Sequence, residues 1–210
     1  MNRTILLTGL TSLVIGTTAN AVASPDLIKN GSFENGVNPP TTFSPVGQDG
    51  VSIDNWDTSG YVEWTNRLYD PSFAYDGNLA VHLYRLPGAA SSISQTFATS
   101  ANEHIAGTFF AFTPMFTSLL VSFESVGGTY FKYRNIFIYN DPNQYSAYSF
   151  DFIAPNYATL SKLTFYATQT ASSVFIDKVS VTQVNPSTPS PAAALPFLIG
   201  LLRKRRTKKS

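Results

Sequence analysis

Apolar positions in the middle of this chain recur every second residue, with polar residues between them. Tyr148-Ser149-Phe150-Asp151-Phe152 alternates strictly, and Leu163, Phe165 and Ala167 alternate with Thr164 and Tyr166. Period two belongs to a strand with one buried face, and no stretch of useful length carries the helical period. Strands are predicted at Asp26–Lys29, Val51–Trp56, Tyr61–Trp64, Leu79–Tyr84, Ser92–Ala98, Ile105–Phe112, Leu119–Glu124, Thr129–Tyr139, Tyr145–Phe152, Leu160–Ala167 and Val174–Thr182. Val126-Gly127-Gly128-Thr129 reads as a hairpin turn and Asp76-Gly77-Asn78 as a second tight turn. Asn35–Gly50, with Pro39, Pro40 and Pro45, and Thr65–Tyr75 read as long loops, where a rigid scaffold commonly carries function. Short strands punctuated by Gly and Pro, with no internal repeat, predict one all-β domain, a sandwich or barrel.

Both ends break this pattern. The first runs charge, apolar, small: Arg3, then Ile5 to Gly16, then Ala21-Val22-Ala23. That order predicts a signal peptide at 1–23, cleaved after Ala23. The last runs Pro186, Pro189 and Pro191, then apolar Ala192–Leu202, then Arg203, Lys204, Arg205, Arg206, Lys208 and Lys209. Apolar followed by basic is a stop-transfer order. The eleven residues of that stretch reach only about 17 Å as a helix, against a ~30 Å hydrocarbon core. A disordered basic tail is the alternative. The domain itself is assigned to 24–185 and the linker and tail to 186–210.

Removing the ends changes the sign of the charge. The whole chain is +1, but seven of its 14 Lys and Arg lie in the two ends, while all 13 Asp and Glu lie in the body. The body is acidic, near −6 by the same count. Nucleic acid is thereby disfavoured as a partner, since its affinity comes mostly from Lys and Arg against phosphates. Cysteine is absent, which excludes disulfides, thiol catalysis and zinc-thiolate sites. A secreted domain of this kind depends on its core, and a body of this size can bury one.

Two resemblances follow. The tail is similar to the PEP-CTERM class of bacterial sorting signals, with Pro189-Ser190-Pro191 in place of Pro-Glu-Pro. That implies export to the cell surface or outside it, transient membrane anchoring, and partners in the export machinery and a C-terminal sorting protease. In the body, LIKNGSFENG, VSIDNWDTSGYVEWT, YDGNLAVHL, SISQTF and SVFIDKVSVT occur in an order that resembles the choice-of-anchor C family. These are relatives of galactose-binding-like sandwiches. The resemblance implies a jelly-roll β-sandwich, a polysaccharide of the envelope or extracellular matrix as partner, and no established catalytic activity. His82 stands where that family carries an acid.

Trp56 and Trp64 are the only tryptophans. An aromatic face packs on sugar C–H surfaces and the indole N–H can reach a hydroxyl, so each is either a glycan contact or part of the core. Tyr61 and Tyr69 flank Trp64. Glu63, His82 and Arg85 form the best polar constellation, the first two on neighbouring strands by the resemblance. They read as a group for sugar hydroxyls or an acidic sugar, or else as a cross-strand ion pair or a solvated face. A glycosidase needs two carboxyls about 5–9 Å apart, a geometry that nothing in the sequence specifies for Glu63 and Asp57. With two histidines and no G-x-S-x-G, metal and serine hydrolysis are poorly supplied. The expectation is a non-catalytic glycan-binding surface or matrix protein. A structural or adhesive protein is the alternative, with a glycan hydrolase behind both.

Glu34 follows an Asn-Gly turn near the start of the body, and Asp177 lies between apolar neighbours near its end. In the sandwiches this chain resembles, the terminal strands run close together. That implies a structural calcium shared by Glu34 and Asp177, with Asp76 and its turn supplying further oxygens, since Ca²⁺ takes 6–8. The alternative is that Glu34 caps nearby N–H groups and Asp177 pairs with Lys178 or Lys162.

Overall fold

The computed structural model describes residues 24–85, 90–139, 144–168 and 173–184. The predicted signal peptide and tail lie outside the described residues. The described residues form thirteen strands: β1 Gly36–Val37, β2 Phe43–Pro45, β3 Ser52–Ile53, β4 Asp57–Ser59, β5 Val62–Asn66, β6 Leu79–Tyr84, β7 Ser91–Ala98, β8 His104–Phe112, β9 Thr117–Ser125, β10 Phe131–Ile138, β11 Ser146–Ile153, β12 Leu160–Ala167 and β13 Ser173–Gln183. A single 3-10 turn, Pro71–Phe73, is the one helical element among the described residues. The strands make a five-stranded sheet, β10-β9-β12-β7-β4, a six-stranded sheet, β11-β8-β13-β6-β5-β2, and the small pair β1-β3. The protein is an all-β sandwich.

Alternation fills the space between the sheets. Leu119, Val121 and Phe123 of β9 and Leu163, Phe165 and Ala167 of β12 point inward from one sheet. Val81 and Leu83 of β6, Ile105, Phe109 and Ala111 of β8, and Val174 and Ile176 of β13 meet them from the other. Gly107 of β8 is the exception that fits its place. A Cβ there would lie 2.2 Å from the Phe150 ring, which packs over the bare backbone.

One strand breaks its own alternation. In β13, Val174 and Ile176 face the core, but so do Val179 and Val181. An extra residue, Lys178, at φ +49° absorbs the phase change, and the pairing with β8 shifts between Asp177 and Ser180. Such a bulge re-aims side chains. Here it leaves Phe175 and Asp177 on the face away from the core and returns Val179 to it.

Agreement with the predicted strands is close where both faces of a strand are constrained. Leu79–Tyr84 and Leu160–Ala167 form with the predicted bounds. Asp26–Lys29 does not become a strand, although it lies along β13. Leu27 N donates to Val181 O, but Val181 N is taken by the Asp26 side chain, and Val179 N reaches Gly31 O. A side chain and a bulge replace the regular ladder. The predicted strand Val51–Trp56 shortens to Ser52–Ile53, because Asn55 turns the chain at φ +68°. The loop expected over Asn35–Gly50 contains β1 and β2.

Candidate glycan-binding face

Both tryptophans belong to the core, which corrects their assignment as ligand contacts. Trp64 is 0% exposed and Trp56 is 6% exposed. Their burial has a local cause in the NGSFEN segment. Asn30 at φ 52° and Phe33 at φ 58° fold that segment into a compact knot. The Asn30 amide bonds Asn35 O and Asp54 O, and the two indoles satisfy the knot's carbonyls. Trp56 Nε1 donates to Asn30 O and Trp64 Nε1 donates to Phe33 O, both at 2.9 Å.

The polar constellation is brought together, except for Arg85. Glu63 of β5 and His82 of β6 are directly paired across the strands. Glu63 Oε2 lies 2.7 Å from His82 Nδ1, Tyr61 donates its hydroxyl to Glu63 Oε1 at 2.9 Å, and His82 Nε2 lies 2.7 Å from Ser173 Oγ. The relay Tyr61–Glu63–His82–Ser173 therefore crosses three strands. The carboxylate sets the imidazole tautomer by holding the proton on Nδ1. The His82 hydrogen bond, helped by that of Tyr61, holds the Glu63 carboxyl below the usual range against the opposing effect of burial. The same bond to Glu63, with burial, raises the Tyr61 phenol. Arg85 sits just past the end of β6, half-buried, and its Nε meets no acceptor among the described residues.

This relay floors one side of an aromatic shelf that the sequence reading missed. Cross-strand register places Pro45, Glu63, His82, Phe175 and Phe112 in one row on the outer face of the six-stranded sheet. The His82 ring stacks on Phe175 at 4.2 Å and 5°, and Phe175 stacks on Phe112 at 4.5 Å and 5°. A pocket of about 150 Å³ opens here, lined by Phe43, Glu63, Thr65, Phe73, His82 and Phe175. Tyr69, 60% exposed, packs edge-on against Phe43 at 6.0 Å and lies 5.9 Å from Phe73, so it stands at the rim. Phe175 was legible only in part: outward aromatics on a strand that is apolar on both faces look like core. Phe43 and Phe73 lie in segments that carry no period.

The segment between β5 and β6 folds over the middle of this face. Asp70 caps its 3-10 turn by accepting from Ser72 N. Phe73 then stacks on Phe175 at 5.0 Å, and Tyr75 stacks on Phe110 of β8 at 3.8 Å and 12°. Tyr145 and Thr65 both donate hydroxyls to Phe73 O.

Glu34 and Asp177 each hold backbone N–H groups at the base of this segment, on either side of Gly77. Glu34 Oε1 accepts from Asn78 N at 2.8 Å and Leu79 N at 2.7 Å. Asp177, 0% exposed, accepts from Tyr75 N and Asp76 N through Oδ2, and from Lys178 N through Oδ1. Burial, only partly offset by these N–H groups, pushes its carboxyl up to about 7. The lysines named as its partners are engaged elsewhere: Lys178 lies 3.7 Å from Asp76 and Lys162 lies 3.4 Å from Glu124. Gly77 is required at φ +70°, and a Cβ there would lie 2.4 Å from Glu34 Oε1. Among the described residues no three His, Cys, Asp or Glu side chains gather as a metal cluster. The acids supply negative charge for a cation but do not by themselves complete a Ca²⁺ cage of 6–8 oxygens.

Comparison with solved structures places the fold. The chain is similar to the carbohydrate-binding module TmCBM61, solved in complex with β-1,4-galactotriose, at TM-score 0.54 and 17% identity over 77% of this chain and 100% of that one. It is similar to the CBM22-1 xylan-binding domain of Paenibacillus barcinonensis Xyn10C at TM-score 0.52 and 13% identity, covering 80% of this chain and 100% of that one. The enzymatically active domain of bacteriophage CBA120 tailspike protein 4 matches at TM-score 0.51 and 20% identity over 76% of this chain, which spans only 21% of it. No curated protein matches the chain. Residues 26–182 match a family model described as a protein of unknown function, DUF642.

Proposed function

Given that the chain belongs to the family described as protein of unknown function DUF642, we propose that it is a non-catalytic glycan-binding protein acting through the outer face of its six-stranded sheet. The observation that carries this reading is the pocket itself. Two half-exposed aromatic rings, Phe43 and Tyr69, stand beside the hydrogen-bonded pair Glu63 and His82. Aromatic faces cover the C–H side of a sugar, while oriented polar atoms take its hydroxyls. Glu63 is the one carboxylate lining the pocket, and a retaining or inverting hydrolase uses two. The likeness to carbohydrate-binding modules supports the reading at the level of fold.

The ligand is a polysaccharide of the envelope or extracellular matrix, reached by export through 1–23 and anchoring through 186–210. A printed glycan array tests the ligand. The wild-type chain should bind at least one polysaccharide, and Tyr69→Ala and His82→Ala should lose that binding with the fold intact by circular dichroism. Binding unchanged in both variants would remove the pocket from the reading. Intact mass of surface-released protein tests anchoring: the basic cluster should be missing.

A structural calcium at Glu34, Asp76 and Asp177 belongs to the same proposal, with its support in the fully buried Asp177 carboxyl, which meets N–H groups and no basic side chain among the described residues. An adhesive role without a specific glycan is the second reading. It is favoured by Phe131, Tyr133 and Phe137, each about half exposed on the edge strand β10. Absence of array binding together with self-association would select it.

A further inference from the structure

The glycan-binding face is not a continuous groove. Two depressions among the described residues of its outer surface have no lining residue in common. One is the aromatic pocket of about 150 Å³ beside Glu63 and His82. The other, about 330 Å³, lies over β8, β11 and the far half of β13, between Thr108, Ser149, Asp151, Ser180 and Thr182. The segment between β5 and β6 rises between them. Phe73 sits on Phe175, Tyr75 sits on Phe110, and Tyr145 packs edge-on against Phe112 at 4.9 Å. The central strands β13 and β8 are thus roofed where a chain following the row Glu63–His82–Phe175–Phe112 would have to pass.

The roof is fastened at several independent points. Asp177 accepts from Tyr75 N and Asp76 N, Glu34 accepts from Asn78 N and Leu79 N, and Tyr145 donates to Phe73 O. The Asp177 acceptor is fully buried. Breaking such bonds leaves buried polar groups unsatisfied, so the segment is held closed over the sheet. A wall fastened in this way is part of the binding surface.

Resting on the glycan-binding reading above, we propose that the pocket recognises the end of a glycan chain and not its interior. Phe73 forms the wall against which the terminal sugar stops. His82 and Phe175 form its floor, and Glu63 and Tyr61 order the polar side. Sugars beyond the first one or two leave past Phe43 and Tyr69 at the β2 edge and gain no further contacts across the sheet.

Calorimetric titration of the purified chain with galacto- and xylo-oligosaccharides of increasing length, and with galactan and xylan of graded chain length, tests this. The expected result is a Kd that changes less than about 2-fold between tri- and hexasaccharide. Protein bound per gram of polymer should fall as the chains lengthen, because ends become fewer. An affinity that climbs by about tenfold or more from tri- to hexasaccharide, or binding per gram independent of chain length, overturns end recognition while leaving glycan binding in place. No binding to these series or to any arrayed glycan overturns both. Phe73→Ala supplies a second reading of the wall. It should bring in a length dependence that the parent lacks, and a variant that binds a ligand of the parent without any length dependence overturns the wall's role.

Discussion

Single side chains here are valued by what they satisfy. Trp64→Phe keeps most of the apolar volume but removes the N–H that meets Phe33 O. A buried carbonyl left without its donor costs about 1–3 kcal/mol. Trp64→Ala adds a cavity and should cost about 3–5 kcal/mol. Denaturant unfolding should report both losses. Glu63 and Asp177 give opposite pH signatures. The Glu63 carboxyl is lowered in the fold by His82. Its contribution is present above the unfolded carboxylate value and is lost as pH falls through its folded value. Asp177 is raised from 3.8 to about 7. Between those values the folded state keeps a proton that the unfolded chain has released, so stability falls as pH rises, by on the order of 4 kcal/mol across the window. Melting in chelator across that window should show the decline, and Asp177→Asn should flatten it. Added Ca²⁺ that binds there would hold the carboxylate ionised, flatten the same slope and raise the melting temperature. Melting curves identical with Ca²⁺ and with chelator would leave the turn held by N–H groups alone.

Between elements, the Asp76-Gly77-Asn78 turn and the Glu34 carboxylate act as one unit. Gly77→Ala places a Cβ 2.4 Å from Glu34 Oε1 at φ +70°. The backbone conformation alone costs an alanine roughly 1–2 kcal/mol. Glu34→Ala gives up two charge-assisted hydrogen bonds, worth about 1.5–3 kcal/mol each. The double variant should lose less than the sum, because removing the carboxylate also removes the clash, and a double-mutant cycle by urea unfolding measures the difference. The strands themselves were legible in the chain wherever period two ran for six residues or more, as in β6 and β12. Short β1, β2 and β4 were not, since two or three residues carry no period. The pairing of Glu63 with His82 was legible through the family resemblance, which implied neighbouring strands, whereas their further partner Ser173 was not. The aromatic surroundings of the pair were not either, because Phe43 and Phe73 reach the site through loops, and Phe175 is turned outward with a bulged neighbour at Lys178 that alternation alone does not reveal.

For the molecule as a whole, topology governs folding and edges govern association. β13 pairs with β6, Ser173 opposite Tyr84, and with β8, so the central strand of one sheet arrives last in the sequence. Loop closure over such separations is slow, and stopped-flow refolding should fall in the millisecond-to-second range. With no cysteine in the chain, reductant should change neither rate nor stability. Strand β10 is an edge whose outward Phe131 and Tyr133 alternate with exposed Lys132 and Arg134. Charges on an edge discourage strand pairing between molecules. Lys132→Val with Arg134→Val should therefore raise concentration-dependent association above that of the parent chain, visible by light scattering.

The bulged strand β13 has one more consequence. Val181 accepts from Leu27 N and donates to the Asp26 side chain, so the first and last residues of the sandwich touch. Contiguous termini make a domain a candidate for circular permutation. A short glycine-serine joint between 26 and 182, with new ends cut into the Val126–Thr129 hairpin, breaks no sheet interior. The sandwich should accept that rewiring and melt as the parent does. Its chain ends could then be moved to the opposite connection, so that the body can be displayed from either one.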